Sequence, residues 1–134
     1  LLKNNVSKLC LLQCTAKYPA DFSSLNLSVI PYLKSKYKIP VGLSDHSLDP
    51  IVAPVMAVGM GATIIEKHFT LDRNLPGPDH PFALNPNELK SMIESIRNAD
   101  KSKGSGKKEI LEEEIELHKF ATRSIQAIKP IKVG

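Results

Sequence analysis

Residues 62–70 read ATIIEKHFT, and residues 39–46 read IPVGLSDH. Each is a short apolar run that ends in charged residues and a histidine. Strand side chains alternate between the two faces of a sheet. In the first stretch Glu66, His68 and Thr70 therefore share one face, and Lys67 and Phe69 share the other. In the second, Ser44 and His46 share a face. Both histidines fall at the C-terminal ends of their strands. A third apolar run, KLCLLQCT (8–15), reads as a buried strand.

Between and after these runs the spacing is helical. LNLSVIPYLKSKYK (25–38) places Leu27, Ile30 and Leu33 on one side and lysines in its last turn, which suits the helix dipole. Pro31 inside it is expected to weaken or kink the first turns. SLDPIVAPVMAVGMG (47–61) reads as a helix capped by Asp49, with Pro50 at its start and Gly59 and Gly61 at its end. Pro54 is expected to perturb it, and an interior apolar all round predicts cover on more than one side. NPNELKSMIESIRNA (85–99) carries Asn85 as cap, Pro86 in the first turn and Glu88 to complete a capping box. Its apolar stripe is Leu89, Met92, Ile93 and Ile96.

Strand, helix, strand, helix, strand, helix is the pattern of parallel strands joined by crossovers, an α/β fold. Ligands of such folds bind beyond the C-terminal strand ends. Consecutive strands are commonly neighbours, so His46 and His68 can converge there. Two imidazoles point to a divalent transition metal with further positions left for oxygen ligands. Glu66 can then be a base, a ligand or a partner that orients an imidazole. The competing reading is two satisfied strand-end histidines. Asp79 and His80, in PGPDHPF, either line the same mouth or form a rigid structural pair. Tyr18 either faces that mouth or packs against Pro19. His118 reads as a solvated helix residue.

After the third helix, DKSKGSGKK (100–108) marks a flexible boundary. EILEEEIELHKFA (109–121) follows as a short acidic helix, and TRSIQAIKPIKVG (122–134) reads as a strand opening a new unit. The chain of 134 residues lacks Trp, so its core is aliphatic. Its net charge of +4 owes much to the lysines at 101, 103, 107 and 108, which read as a solvated linker rather than a nucleic-acid face. No apolar run approaches the roughly 20 residues of a membrane span. LLKNNVSKLCLLQC lacks a signal-peptide cleavage site, and the first residue is not Met. Cys10 and Cys14, the two cysteines, read as buried reduced thiols of a cytoplasmic protein.

LLQCTAKYPA, PVGLSDHSLDP, GATIIEKHFTLDRNLPGPDH and LNPNELKSMIESIR occur in order. Together they resemble the N-acetylneuraminate (sialic acid) synthase family, which includes legionaminate, pseudaminate and spore-coat polysaccharide synthases. The resemblance implies that residues 1–100 are the C-terminal part of a (β/α)8 TIM barrel, comprising its last three βα units. Residues 101–121 would be a linker with a short helix, and 122–134 the incomplete start of an antifreeze-like (SAF) domain. It implies condensation of phosphoenolpyruvate with an N-acyl mannosamine-type sugar to a nonulosonic acid, with release of phosphate. Manganese or another divalent metal would be held by His46 and His68. Glu66 matches the active-site glutamate, and Ser44 and Tyr18 match substrate-binding residues. The full protein would be a cytoplasmic homodimer.

Ala16 departs from the Asn or Ser usual two residues before the tyrosine, which leaves the sugar acceptor open. The groups that hold phosphoenolpyruvate lie on strands outside this chain, so the chain alone is expected to be inactive. Two alternatives stand beside this reading. One is a non-catalytic truncated copy. The other is a metal-dependent hydrolase on a similar barrel, with Asp79 and His80 as extra ligands.

Overall fold

The computed structural model describes residues 9–134. The run read against a signal peptide, and the first residue of the 8–15 strand, lie partly outside them. The described residues up to Gly104 form one compact unit, and Ser105–Gly134 form another.

The first unit is an α/β layer. Its elements in chain order are β1 (Leu11–Cys14), α1 (Val29–Tyr37), β2 (Val41–Asp45), α2 (Val52–Gly59), β3 (Ile64–Lys67) and α3 (Pro86–Ser102). The strands are all parallel, in spatial order β1-β2-β3. Leu11 lies opposite Val41, and Cys14 lies beside Ser44, which lies beside Glu66. Strand parity then separates two faces. Val41, Leu43 and Ile65 pack with Leu25, Leu27, Ile30, Leu33, Ala53 and Ala57 in one aliphatic core. Ala53 and Ala57 are small, which lets α2 sit close to the strands.

Both prolines expected to disturb helices sit in first turns. Helix α1 begins at Val29 and α2 at Val52, so Pro31 and Pro54 are each the third residue. The first N–H groups of a helix have no acceptor within it, so a missing one there costs nothing. The sequence windows began both helices too early. Asp49 and Pro50 precede α2, whose N-cap is Ile51 rather than Asp49, though Asp49 Oδ1 still accepts from the amides of Ile51 and Val52 at 2.8 and 2.6 Å. That helix packs against both β2 and α3, so it is covered on more than one side, as expected. Ala53, Pro54, Ala57 and Val58 are buried, while Val52 and Met56, one turn apart, are half exposed.

Strand β1 is half-buried rather than buried, because it is an edge strand. Cys10 and Cys14 are free thiols but exposed, on the face that no helix covers. On the central strand, Gly42 leaves room that no other residue could. A Cβ there would sit 2.3 Å from the Ile64 carbonyl oxygen and 2.6 Å from Leu12 Cδ2.

Helix α3 opens with the expected capping box between Asn85 and Glu88 and runs on to Ser102, past the expected end. Met92 is its buried residue. Arg73 ties the preceding loop to this cap, donating to Glu88 Oε2 at 2.6 Å and to the Ala83 carbonyl at 3.0 Å.

In the second unit a 3-10 turn (Glu112–Glu114) leads into α4 (Ile115–Ala121), within the expected acidic helix. Residues 122–134 form no strand, which corrects the expectation. Ile125, Ile128, Ile131 and Val133 are almost fully exposed. A strand exists through hydrogen bonds to a neighbour, and apolar residues alone supply none.

Candidate functional site

The site lies where β2 and β3 end. Ser44 and Glu66 are register partners, and Ser44 Oγ donates to Glu66 Oε1 at 2.7 Å. One step further along, the rings of His46 and His68 stand with centroids 5.4 Å apart. Ser44, His46, Glu66, Lys67 and His68 line a concavity of about 120 Å³. A larger cavity of about 300 Å³ lies at the other end of β3, lined by Val58, Ala62, Thr63, Ile65 and Ile96 among others. It holds no histidine, so volume is a poor guide to chemistry here.

Each histidine is held by its main chain, and His46 also by its ring. The His46 carbonyl accepts from the Ala20 amide at 2.9 Å. Its Nδ1 lies 2.8 Å from the Thr15 carbonyl oxygen. A carbonyl only accepts, so Nδ1 carries the proton. The lone pair of the neutral ring is then on Nε2, free for a ligand. The His68 carbonyl accepts from the Leu84 amide at 2.9 Å, and its Nδ1 is 3.7 Å from Asp79 Oδ2.

Tyr18 is brought to the same place. Its peptide bond to Pro19 is cis, and its ring centroid is 4.1 Å from that of His46 and 5.8 Å from that of His68. The ring is about half exposed, so it faces the mouth rather than the core. Tyr18, Ser44, His46, Glu66 and His68 thus form one cluster. Asp79 joins it through His68. His80 does not, because its Nδ1 shares a 2.7 Å hydrogen bond with Thr70 Oγ1, on the loop side.

Phe82 was missed in the sequence. Its ring lies 5.2 Å from His68 and 5.4 Å from Tyr18, and it closes an aromatic wall beside the histidines. The loop returns it to the site by a parallel bridge of Leu84 to Phe69, a fold-back with no periodic signal. Lys67 and Asp45 were also missed. Lys67 Nζ meets Asp45 Oδ2 at 2.6 Å with both side chains buried. Their signal was available, since each residue immediately precedes one of the two histidines.

The donor set suits a divalent metal in part. Two imidazoles, that of His46 with its Nε2 lone pair free, are good first-row ligands, with water or substrate oxygens completing the shell. Among the described residues no group of three or more His, Cys, Asp or Glu side chains gathers as a cage. Asp79 and His80 therefore do not supply the extra ligands that a hydrolase site required. Among the described residues no helix is long and apolar enough to cross a membrane.

Residues 1–108 match the model of the NeuB family. The chain is 46% identical over 126 residues to the N,N'-diacetyllegionaminic acid synthase of Legionella pneumophila, covering 94% of this chain and 35% of that protein. Its fold is similar to the crystal structure of the N-acetylneuraminic acid (sialic acid) synthetase of Leptospira borgpetersenii in complex with citrate. The TM-score is 0.73 at 42% identity, over 83% of this chain and 39% of that one. It is also similar to the spore coat polysaccharide biosynthesis protein SpsE of Bacillus subtilis. There the TM-score is 0.69 at 51% identity, over 72% of this chain and 27% of that one. The chain spans little more than a third of the length of the curated relative it matches. With its matched residues running through all three strand-helix units and the histidine pair, the chain belongs to the NeuB family.

Proposed function

We propose that this chain contributes the metal- and sugar-binding part of a phosphoenolpyruvate-dependent synthase of nonulosonic acids. The observation that carries the reading is the meeting of His46 and His68 at the ends of adjacent parallel strands in a NeuB-family chain. In this reading the three strand-helix units are the last three of a (β/α)8 barrel. Residues 101–121 link them to an antifreeze-like domain that begins at 122. The whole protein is a cytoplasmic homodimer, and the groups that hold phosphoenolpyruvate lie outside this chain.

A divalent ion, manganese by resemblance, held by His46 and His68 would polarise the aldehyde of an open-chain N-acyl sugar. The residues of the chain do the rest. The Thr15 carbonyl keeps the His46 proton on Nδ1 and its lone pair on Nε2. Tyr18 offers a ring face and a hydroxyl to the sugar. Ser44 engages one oxygen of Glu66, and the other has no protein donor among the described residues. We assign that oxygen to proton movement at the sugar. C3 of phosphoenolpyruvate bonds to the aldehyde carbon, whose oxygen takes up a proton. Water adds at C2, and phosphate departs with cleavage of its C–O bond.

The test is a calorimetric titration of the chain with Mn2+ beside a His46→Ala, His68→Ala double variant. Binding in the parent and none in the folded variant is the expected result. Equal binding in both, or none by a folded parent, defeats the metal assignment. Phosphate release from phosphoenolpyruvate by the 134-residue chain alone would overturn the view that the rest of the site lies elsewhere.

A further inference from the structure

The ladder between β2 and β3 stops one residue short of each histidine. Its last register pair is Asp45 opposite Lys67. Beyond it the main chains turn to different loops, His46 to Ala20 and His68 to Leu84. The last direct tie between the two strands before the imidazoles is therefore the ion pair itself.

That pair is fully enclosed, with 2% of the Lys67 side chain and none of the Asp45 side chain exposed. Lys67 Nζ donates toward Asp45 Oδ2 at 2.6 Å, the Ser47 carbonyl at 2.7 Å, the Asp49 carbonyl at 3.0 Å and Ser47 Oγ at 3.3 Å. An ammonium has three protons, so these acceptors saturate it. Asp45 in turn accepts from the Ser47 amide at 2.8 Å and the Ser47 hydroxyl at 3.1 Å. The network thereby fixes the whole turn 45–49, whose last residue, Asp49, accepts from the amides of Ile51 and Val52 at the start of α2. A buried ion pair is a poor device for stability, because desolvating two charges offsets most of their attraction. An apolar pair would fill the space as well. What charges add is a defined separation and direction.

We propose that the Asp45–Lys67 pair is a positioning device that sets the spacing of the His46 and His68 rings. The proposal rests on the reading that these rings share a metal. Neither charged group touches an imidazole in the hydrogen-bond network, so both act through the backbone.

The experiment uses the full chain and the Asp45→Asn, Lys67→Met double variant, which removes both charges and keeps the volume. Circular dichroism reports folding, Mn2+ calorimetry reports affinity, and the nuclear Overhauser effect between the His46 and His68 rings reports their separation. The expected result is a folded variant whose Mn2+ affinity falls about tenfold or more, the scale seen when groups supporting metal ligands are removed, with a weakened ring-to-ring signal. A folded variant with unchanged affinity and an unchanged ring signal overturns the proposal. If the parent binds no Mn2+, the metal reading fails, and the ring signal alone decides the positioning role: lost in the variant supports it, retained overturns it. If the double variant does not fold, Asp45→Asn alone, isosteric with the parent, is read by the same criteria.

Discussion

On one face of the central strand, Val41, Leu43 and Asp45 are buried against α1, α2 and the Lys67 ammonium. On the other, one residue out of step, Gly42, Ser44 and His46 are flanked by Leu12 and Cys14 on one side and Ile64, Glu66 and His68 on the other. Cys14, Ile64 and Glu66 in that set are exposed. The first face is finished by this chain: its apolar groups are packed and its buried charges are paired. On the second, Ser44 and His46 are buried, but the residues that flank them on the two edge strands are left uncovered. The two faces share the same backbone, so the finished one can hold the other in shape. Rigid scaffolds with a polar cluster on one side are what functional sites require.

Breaking the finished face should have the largest effect. Lys67→Met leaves Asp45 buried without its counter-charge, and should cost about 3–5 kcal/mol, read as a lower midpoint in urea unfolding. A change within error would mean that water reaches Asp45 and that the face is less closed than its contacts indicate.

Gly42→Ala tests whether the other face is open along its whole length. The new methyl would meet the Ile64 carbonyl and Leu12, and overpacking of this kind costs about 1–3 kcal/mol. Thermal unfolding of the variant at parental stability would show that β1 and β3 can spread. The contrast between a closed strand start and an open strand end would then be lost.

The smallest stability effect is expected at His68→Ala. The ring is partly exposed, and substitutions at such positions usually stay within about 0.5 kcal/mol. Mn2+ binding should nevertheless disappear in the same sample. A large loss of stability, measured by the same urea titration, would make His68 a structural residue and erase the distinction between the faces.

Alternation along ATIIEKHFT and VGLSDHS was enough to put Ser44 with His46 and Glu66 with His68, because period 2 is a property of any strand; that the two pairs share a face follows from the register of β2 against β3. The residues between them were left without a role for the same reason. Parity says that Asp45 and Lys67 face away from the cluster, but not that they meet. That required the register of β2 against β3. The prolines show a second limit. Pro31 and Pro54 looked disruptive only because the helix starts were set too early, and a start is decided by which amides lack acceptors. Phe82 arrives at the site by a loop that folds back on β3, and no local pattern announces such a return. The isoleucines of 122–134 invited a strand, yet among the described residues no partner pairs with them.

By itself, then, the sequence determined the alternation of strands and helices, the capping of α3 by Asn85, and which residues of a strand share a face. These follow from interactions within a few residues along the chain. Tertiary structure decided the pairing of Asp45 with Lys67, the exposure of both cysteines and the arrival of Tyr18 and Phe82 beside the histidines. Each depends on which distant segments become neighbours, and that is settled by the packing of the whole unit rather than by local spacing.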